Sequence, residues 1–168
     1  MAAMPVDERS RARVLALQAL CLFDAVGDGF RKGLDAFLSD TATYADLDWR
    51  RRPRPKVLAQ ARSLVAGAWE QHARYDQLLN EQVAGWSVER MQPVDRNILR
   101  LGLHELLACP ETPHQVVINE AIELARKFGG AESPAFVNGV LDGIRRKQGA
   151  LPAFTSQPAD PDLPDKEA

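Results

Sequence analysis

Apolar residues recur at steps of three and four along most of this chain, and no stretch shows the alternation of a half-buried strand. Ala12, Leu15, Ala16, Ala19, Leu22, Phe23 and Val26 predict a first helix over residues 7–26. Val14, Leu17, Leu20 and Cys21 make its opposite side apolar as well. Such a helix belongs either at the centre of a core or under a partner. Gly27 and Gly29 end it. A shorter helix is expected over residues 33–38, then an irregular charged segment, 39–55, in which Pro53 and Pro55 bar continuation.

A second long period runs through Val57, Ala61, Leu64, Val65, Ala68, His72, Tyr75 and Leu79, predicting a helix over residues 56–83. Pro93 suits the first position of a third, largely apolar helix that reaches Ala108. Pro110 and Pro113 interrupt. Ile118, Ala121, Ile122, Ala125 and Phe128 then mark a helix over 115–128, which Gly129 and Gly130 are expected to cap. Ser133 and Pro134 open the last helix as N-cap and first helical residue. Along it Val137, Val140, Leu141 and Ile144 form the stripe, while Gly139 and Gly143 would allow a close neighbour. The reading is all-α, a single globular unit over 7–149. The proline-rich acidic segment 150–168 is expected to be a disordered tail.

Charge changes this picture through its distribution rather than its total. The net charge is −2, yet the last nineteen residues hold four acids against one lysine. Positive charge is bunched instead in Arg9, Arg11 and Arg13, and in Arg50, Arg51, Arg52, Arg54 and Lys56. A near-neutral chain with local basic clusters is compatible with RNA binding. Arg9 and Arg13 are four apart, so they are expected on one helix side, gripping successive phosphates, with Arg11 turned elsewhere. The 50–56 run reads rather as a flexible, solvated electrostatic patch.

Catalytic and metal-binding classes find little footing. His72, His104 and His114 lie on separate segments without ligand spacing, and His104 is expected to be a hydrogen-bonded packing residue. No nucleophile elbow, phosphate loop or dinucleotide fingerprint occurs; Gly129-Gly130 follows a helix, not a strand. Cys21 and Cys109 are far apart and read as reduced thiols of a cytosolic protein. The N-terminus lacks the apolar region of a secretory signal, and no run is long enough for a membrane helix. Phe128, Glu132 and Phe136 surround the tight turn before the last helix. Aromatic rings there could stack on unpaired bases and a carboxylate could accept from base amino groups, although from the residues alone core packing is the favoured account of the two phenylalanines.

Two long stretches resemble the C-terminal half of the NusB family. One is P-V-D-R-N-I-L-R-L-G-L-H-E-L-L (93–107); the other is V-V-I-N-E-A-I-E-L-A-R-K-F-G-G with S-P-A-F-V-N-G-V-L-D-G-I (116–144). R-S-R-A-R-x-x-A-L-Q-A-L (9–20) resembles that family's arginine-rich start. The resemblance implies about seven helices in two small bundles and no enzymatic activity or cofactor. It also implies pairing with NusE, a small-subunit ribosomal protein, and binding of the heterodimer to boxA RNA. That complex joins NusA and NusG on RNA polymerase and suppresses premature termination, chiefly in ribosomal RNA operons. Some family members form homodimers that hide the RNA surface.

Position by position, the resemblance assigns Arg9, Arg11, Arg13, Arg100, Phe128, Glu132 and Phe136 to RNA. It assigns Cys21, Glu89 and Asp95 to the partner protein. Cys21 and His104 stand where the family usually has tyrosine, and Glu132 where it has aspartate. Two competing readings differ in class. A NusB-like domain of an rRNA cytosine methyltransferase would require an S-adenosylmethionine domain downstream of this chain. A helical homodimer without specific RNA binding would use the doubly apolar first helix as its interface.

Overall fold

The doubly apolar first helix is central, and its own chain covers it. The computed structural model describes residues 6–149, and the expected tail, 150–168, lies outside them. Helix α1 (Val6–Val26) packs on α4 (Pro55–Glu70) along one side and on α6 (Pro93–Ala108) along another. Leu15, Ala16, Ala19 and Leu20 are fully buried, and Val14 and Leu17 nearly so. The apolar surround of α1 is therefore filled within one chain and does not by itself call for a second copy.

Around α1 and α4 lie a 3-10 segment (Gly27–Gly33), α2 (Leu34–Ser39) and α3 (Thr41–Asp46). The second group comprises α5 (His72–Gln82), α6, α7 (His114–Phe128) and α8 (Ser133–Gly149). Helix α6 belongs to both groups, touching α1 and α4 on one side and α5, α7 and α8 on the other. Its run of Ile98, Leu99, Leu101 and Leu103, none more than 1% exposed, explains why the segment is apolar on most sides. Among the described residues there is no strand, and no helix is long and apolar enough to cross a membrane.

Three local departures from the sequence reading have physical causes. The helix expected over 56–83 is two helices that meet at Gln71, where His72 Nδ1–H donates to the Trp69 carbonyl and its ring stacks on the indole. That side-chain bond takes an acceptor the helix ladder would otherwise use. The segment expected to be irregular contains α3, whose N-terminus is capped by the Asp40 carboxylate accepting from the Ala42 N–H at 2.9 Å. Six residues are too few to show a period. Gly129, finally, has extended rather than left-handed backbone. It is needed because a Cβ there would lie 2.6 Å from the Cβ of Ser133, whose hydroxyl accepts from the Gly130 N–H.

Close approach is also the reason for Gly67 on α4. A Cβ at Gly67 would fall 2.3 Å from Cε1 of His104, and that imidazole is fixed by a 3.0 Å hydrogen bond between its Nδ1 and the Tyr75 hydroxyl. His104 is thus the hydrogen-bonded packing residue expected, and burial pushes its pKa below the ordinary value. Gly67→Ala is expected to cost about 1–3 kcal/mol of stability, because a planar ring held at one end cannot step aside freely. Urea unfolding would register this as a lower midpoint at unchanged slope. Gly143 likewise admits a neighbour, the Gln82 side chain, whereas Gly139 faces open space.

Candidate nucleic-acid interface

The arginine-rich start of α1 divides into an inward and an outward part. Arg13 is 4% exposed and points into the junction of α1, α6 and α7. Its Nε and Nη2 donate to both oxygens of Glu105 on α6 at 2.8–3.1 Å, and Glu120 of α7 lies 3.9 Å away. Ser10, one turn earlier, donates to Glu120 at 3.0 Å. Burial drives the Arg13 pKa down, but the hydrogen bonds and charge of Glu105, with Glu120, more than reverse it. The guanidinium is held above its ordinary range. Arg9 and Arg13 do not form a pair on an exposed side. Arg9 is half-exposed, and Arg11 lies with its guanidinium carbon 4.5 Å above the ring of Trp49.

Arg100 is also internal. At 5% exposure it makes two 2.7 Å bonds to the Asp76 carboxylate of α5, one of 2.9 Å to Asp24 of α1 and one of 3.1 Å to Asn97. Arg96 shares Asp24 at 2.7 Å. Burial raises the Asp24 pKa, but the Arg96 and Arg100 hydrogen bonds outweigh it and hold the carboxyl below the usual aspartate value. The expectation that Arg13 and Arg100 offer their charge to phosphates therefore meets a different placement. Their donors are directed at carboxylates of neighbouring helices, because a buried guanidinium is tolerable only when paired. Sequence position alone cannot separate Arg11 from Arg13; only the residues facing each one do.

The α7–α8 turn carries the other three residues assigned to RNA. Glu132 is exposed, and Phe128 and Phe136 are half-buried, each ring rooted against the core with part of its surface open. Lys127 Nζ sits 5.4 Å from the Phe128 ring centre. A residue the sequence reading passed over joins the turn: Trp86, 52% exposed, meets Phe136 edge to face at 6.2 Å. A lone exposed tryptophan after Gly85, outside any apolar period, was the available signal.

The three residues assigned to the partner protein differ in access. Glu89 is exposed. Asp95 is half-buried in the first turn of α6, and its buried Oδ1 has no hydrogen-bond partner among the described residues. Cys21 turns partly inward toward Asn97, whose Nδ2 is 3.8 Å from the sulfur. Burial first, then the Asp24 charge, pushes its thiol up to about 11, so it behaves as a neutral packing group. No group of three potential metal-ligating side chains comes together among the described residues.

Residues 10–146 match the NusB family. This chain belongs to the NusB family. It is 40% identical over 147 residues to transcription antitermination protein NusB of Desulfosudis oleivorans, covering 86% of this chain and 90% of that protein. The NusB of Streptomyces avermitilis is 39% identical over 145 residues, 85% of this chain and 94% of that one. Among solved structures, NusB of T. maritima superposes with a TM-score of 0.65 at 32% identity, covering 87% and 94% of the two chains. A chain from the structure of antitermination factors NusB and NusE with double-stranded RNA shares the fold, with a TM-score of 0.70 at 23% identity over 85% and 99%. The NusB fold here is thus the all-helical one anticipated from the 93–107 and 116–144 motifs.

Proposed function

We propose that this chain is a transcription antitermination factor that binds boxA RNA together with NusE, without catalysis. NusB-family membership over most of the chain supports the reading. The observation that gives it a mechanism is the α7–α8 turn, flanked in the chain by an exposed carboxylate and two half-open rings. In this reading unpaired bases stack on Phe128 and Phe136, Glu132 accepts from base amino groups, and Arg9 and Arg11 hold phosphates. Glu89 and Asp95 face NusE. Arg13 and Arg100 act indirectly, by holding α1 against α5, α6 and α7. The assembled complex works with NusA and NusG on RNA polymerase in the cytoplasm, suppressing premature termination in ribosomal RNA operons.

The test is fluorescence anisotropy of labelled boxA RNA against a scrambled control, with and without NusE. Selective binding that NusE strengthens is the expected result; weak binding indifferent to sequence and to NusE would overturn it. Within that assay Phe136→Ala should narrow the boxA preference by about 5- to 100-fold, the worth of one stacked base. Because Phe136 is also partly core, Trp86→Ala provides the control. It removes a half-exposed ring, so stability should change by no more than about 1.5 kcal/mol, the worth of an edge-to-face pair. Selectivity should nonetheless fall as Phe136 loses its edge-to-face neighbour. Unchanged selectivity in both variants would remove this turn from the site.

A further inference from the structure

The basic segment between α3 and α4 lines a groove. About 860 Å3 in volume, the groove lies between the first turns of α1, the loop at residues 47–54 and the last turns of α7. Arg11 projects into it from α1, Arg50 and Arg51 from the loop, and Arg126 and Lys127 from α7. Its acids are mostly engaged. Glu120 accepts from Ser10 and lies near Arg13, and Glu123 pairs with Arg126. Asp7 is the remaining carboxylate on the wall. Neither Arg50 nor Arg51 enters an ion pair among the described residues, and both are exposed.

The loop that presents these two arginines is anchored. Its Trp49 N–H donates to the Tyr44 carbonyl at 2.9 Å, and the indole stacks on the Tyr44 ring at 6.3 Å. The Arg11 guanidinium lies over the same indole, Pro53 is buried, and Arg54 reaches Glu8 of α1 at 3.2 Å. Arg50 and Arg51 therefore stand beside α1 at defined positions, unlike charges on a free loop. At its other end the groove meets the α7–α8 turn through Lys127, the residue beside Phe128.

We propose that this groove is an RNA-backbone track, taking unpaired nucleotides that flank the boxA element as they leave the Phe128–Phe136 turn. The inference rests on the boxA reading above. Cations spread over three elements suit a ligand with phosphates at regular intervals better than a single anion. A concave channel suits one strand better than the convex backbone of a duplex. Arg50, Arg51 and Lys127 supply the phosphate contacts. Trp49 acts as a positioning residue, holding Arg11 over the groove. No base-specific contact is needed, so the track adds affinity without sequence preference.

The experiment compares the full chain, with NusE, on three RNAs: boxA alone, and boxA extended by about eight unpaired nucleotides on its 5′ or its 3′ side. Extension on one side should tighten binding about tenfold and steepen the salt dependence, whatever the added sequence. Arg50→Glu with Arg51→Glu should return the extended RNA to the affinity of boxA alone, with core affinity and thermal unfolding unchanged. The salt slope for extended RNA should fall by about 1.4, the value for two contacts on a single strand. Selective boxA binding with no gain from either extension would overturn the track alone. A double variant that weakens all three RNAs equally, or weakens NusE binding instead, would overturn it too. Binding that ignores the boxA sequence from the outset would remove the underlying reading and the track with it.

Discussion

Arg13→Ala should lose about 3–5 kcal/mol of folding stability, because it leaves the buried Glu105 carboxylate without its partner. For a chain of this size that is a fall in Tm on the order of 10 °C. The cost comes from the orphaned charge, not from the pair's net value. Removing both partners together, as Arg13→Met with Glu105→Leu, should accordingly recover much of the loss. Glu105→Ala alone should be comparably damaging, with the charge left on the other side. Thermal unfolding of the two single variants and the double one closes this cycle. The same proteins, assayed below their unfolding transitions, separate structure from RNA contact. Arg13→Ala should keep the wild-type salt slope for boxA, whereas Arg11→Ala should lower it by about 0.7. A stable Arg13→Ala protein with a reduced slope would mean that the guanidinium leaves Glu105 to bind phosphate.

Arg100→Ala should be the next most damaging, at about 2–4 kcal/mol, the smaller figure reflecting that Asp76 is partly open to water. Arg100 joins α6 to α5 through Asp76 and to α1 through Asp24, so its loss loosens the contact between the two helical groups. Arg100→Lys should rescue little, since an ammonium cannot reproduce two parallel bonds to one carboxylate. The network also implies a pH dependence of definite sign. Because the folded state holds the Asp24 carboxyl below its ordinary value of 3.8, that stabilisation is complete above this value and is lost as pH falls through the lower folded pKa. Urea midpoints followed from neutral pH down through this range should decline. Asp24→Asn, already lacking the charged form, should show a shallower decline and lower stability at neutral pH. Equal acid sensitivity in both proteins would assign the loss to other carboxylates.

Both arginines carry a lesson about reading sites from sequence. Arg9, Arg11 and Arg13 look alike as a cluster, and Arg100 stands between Leu99 and Leu101. What separates a phosphate ligand from an internal clamp is the presence of an acid across the packing interface. Glu105, Glu120, Asp24 and Asp76 lie far away in sequence from the arginines they hold. Trp49 is illegible for a related reason, and Trp86 offers only its place outside any apolar period. Each lies in a short connection without a period, and its neighbours, Arg11 and Phe136, are brought to it only by folding.

The helical class, the span of α6 at Pro93–Ala108, the ends of α1 and α7 and the start of α8 are legible in the chain alone to within a residue or so. So is the turn that holds Phe128, Glu132 and Phe136. These features are set by apolar spacing, proline and glycine, whose effects act within a few residues and need no knowledge of the fold. Folding alone fixes which sides of α1 are covered, which arginines are buried and paired with acids and which face solvent. It also decides that the loop after α3 lies anchored against α1 beside the α7 groove. Each of these depends on what lies opposite a side chain, and burial and charge pairing are properties of two surfaces at once.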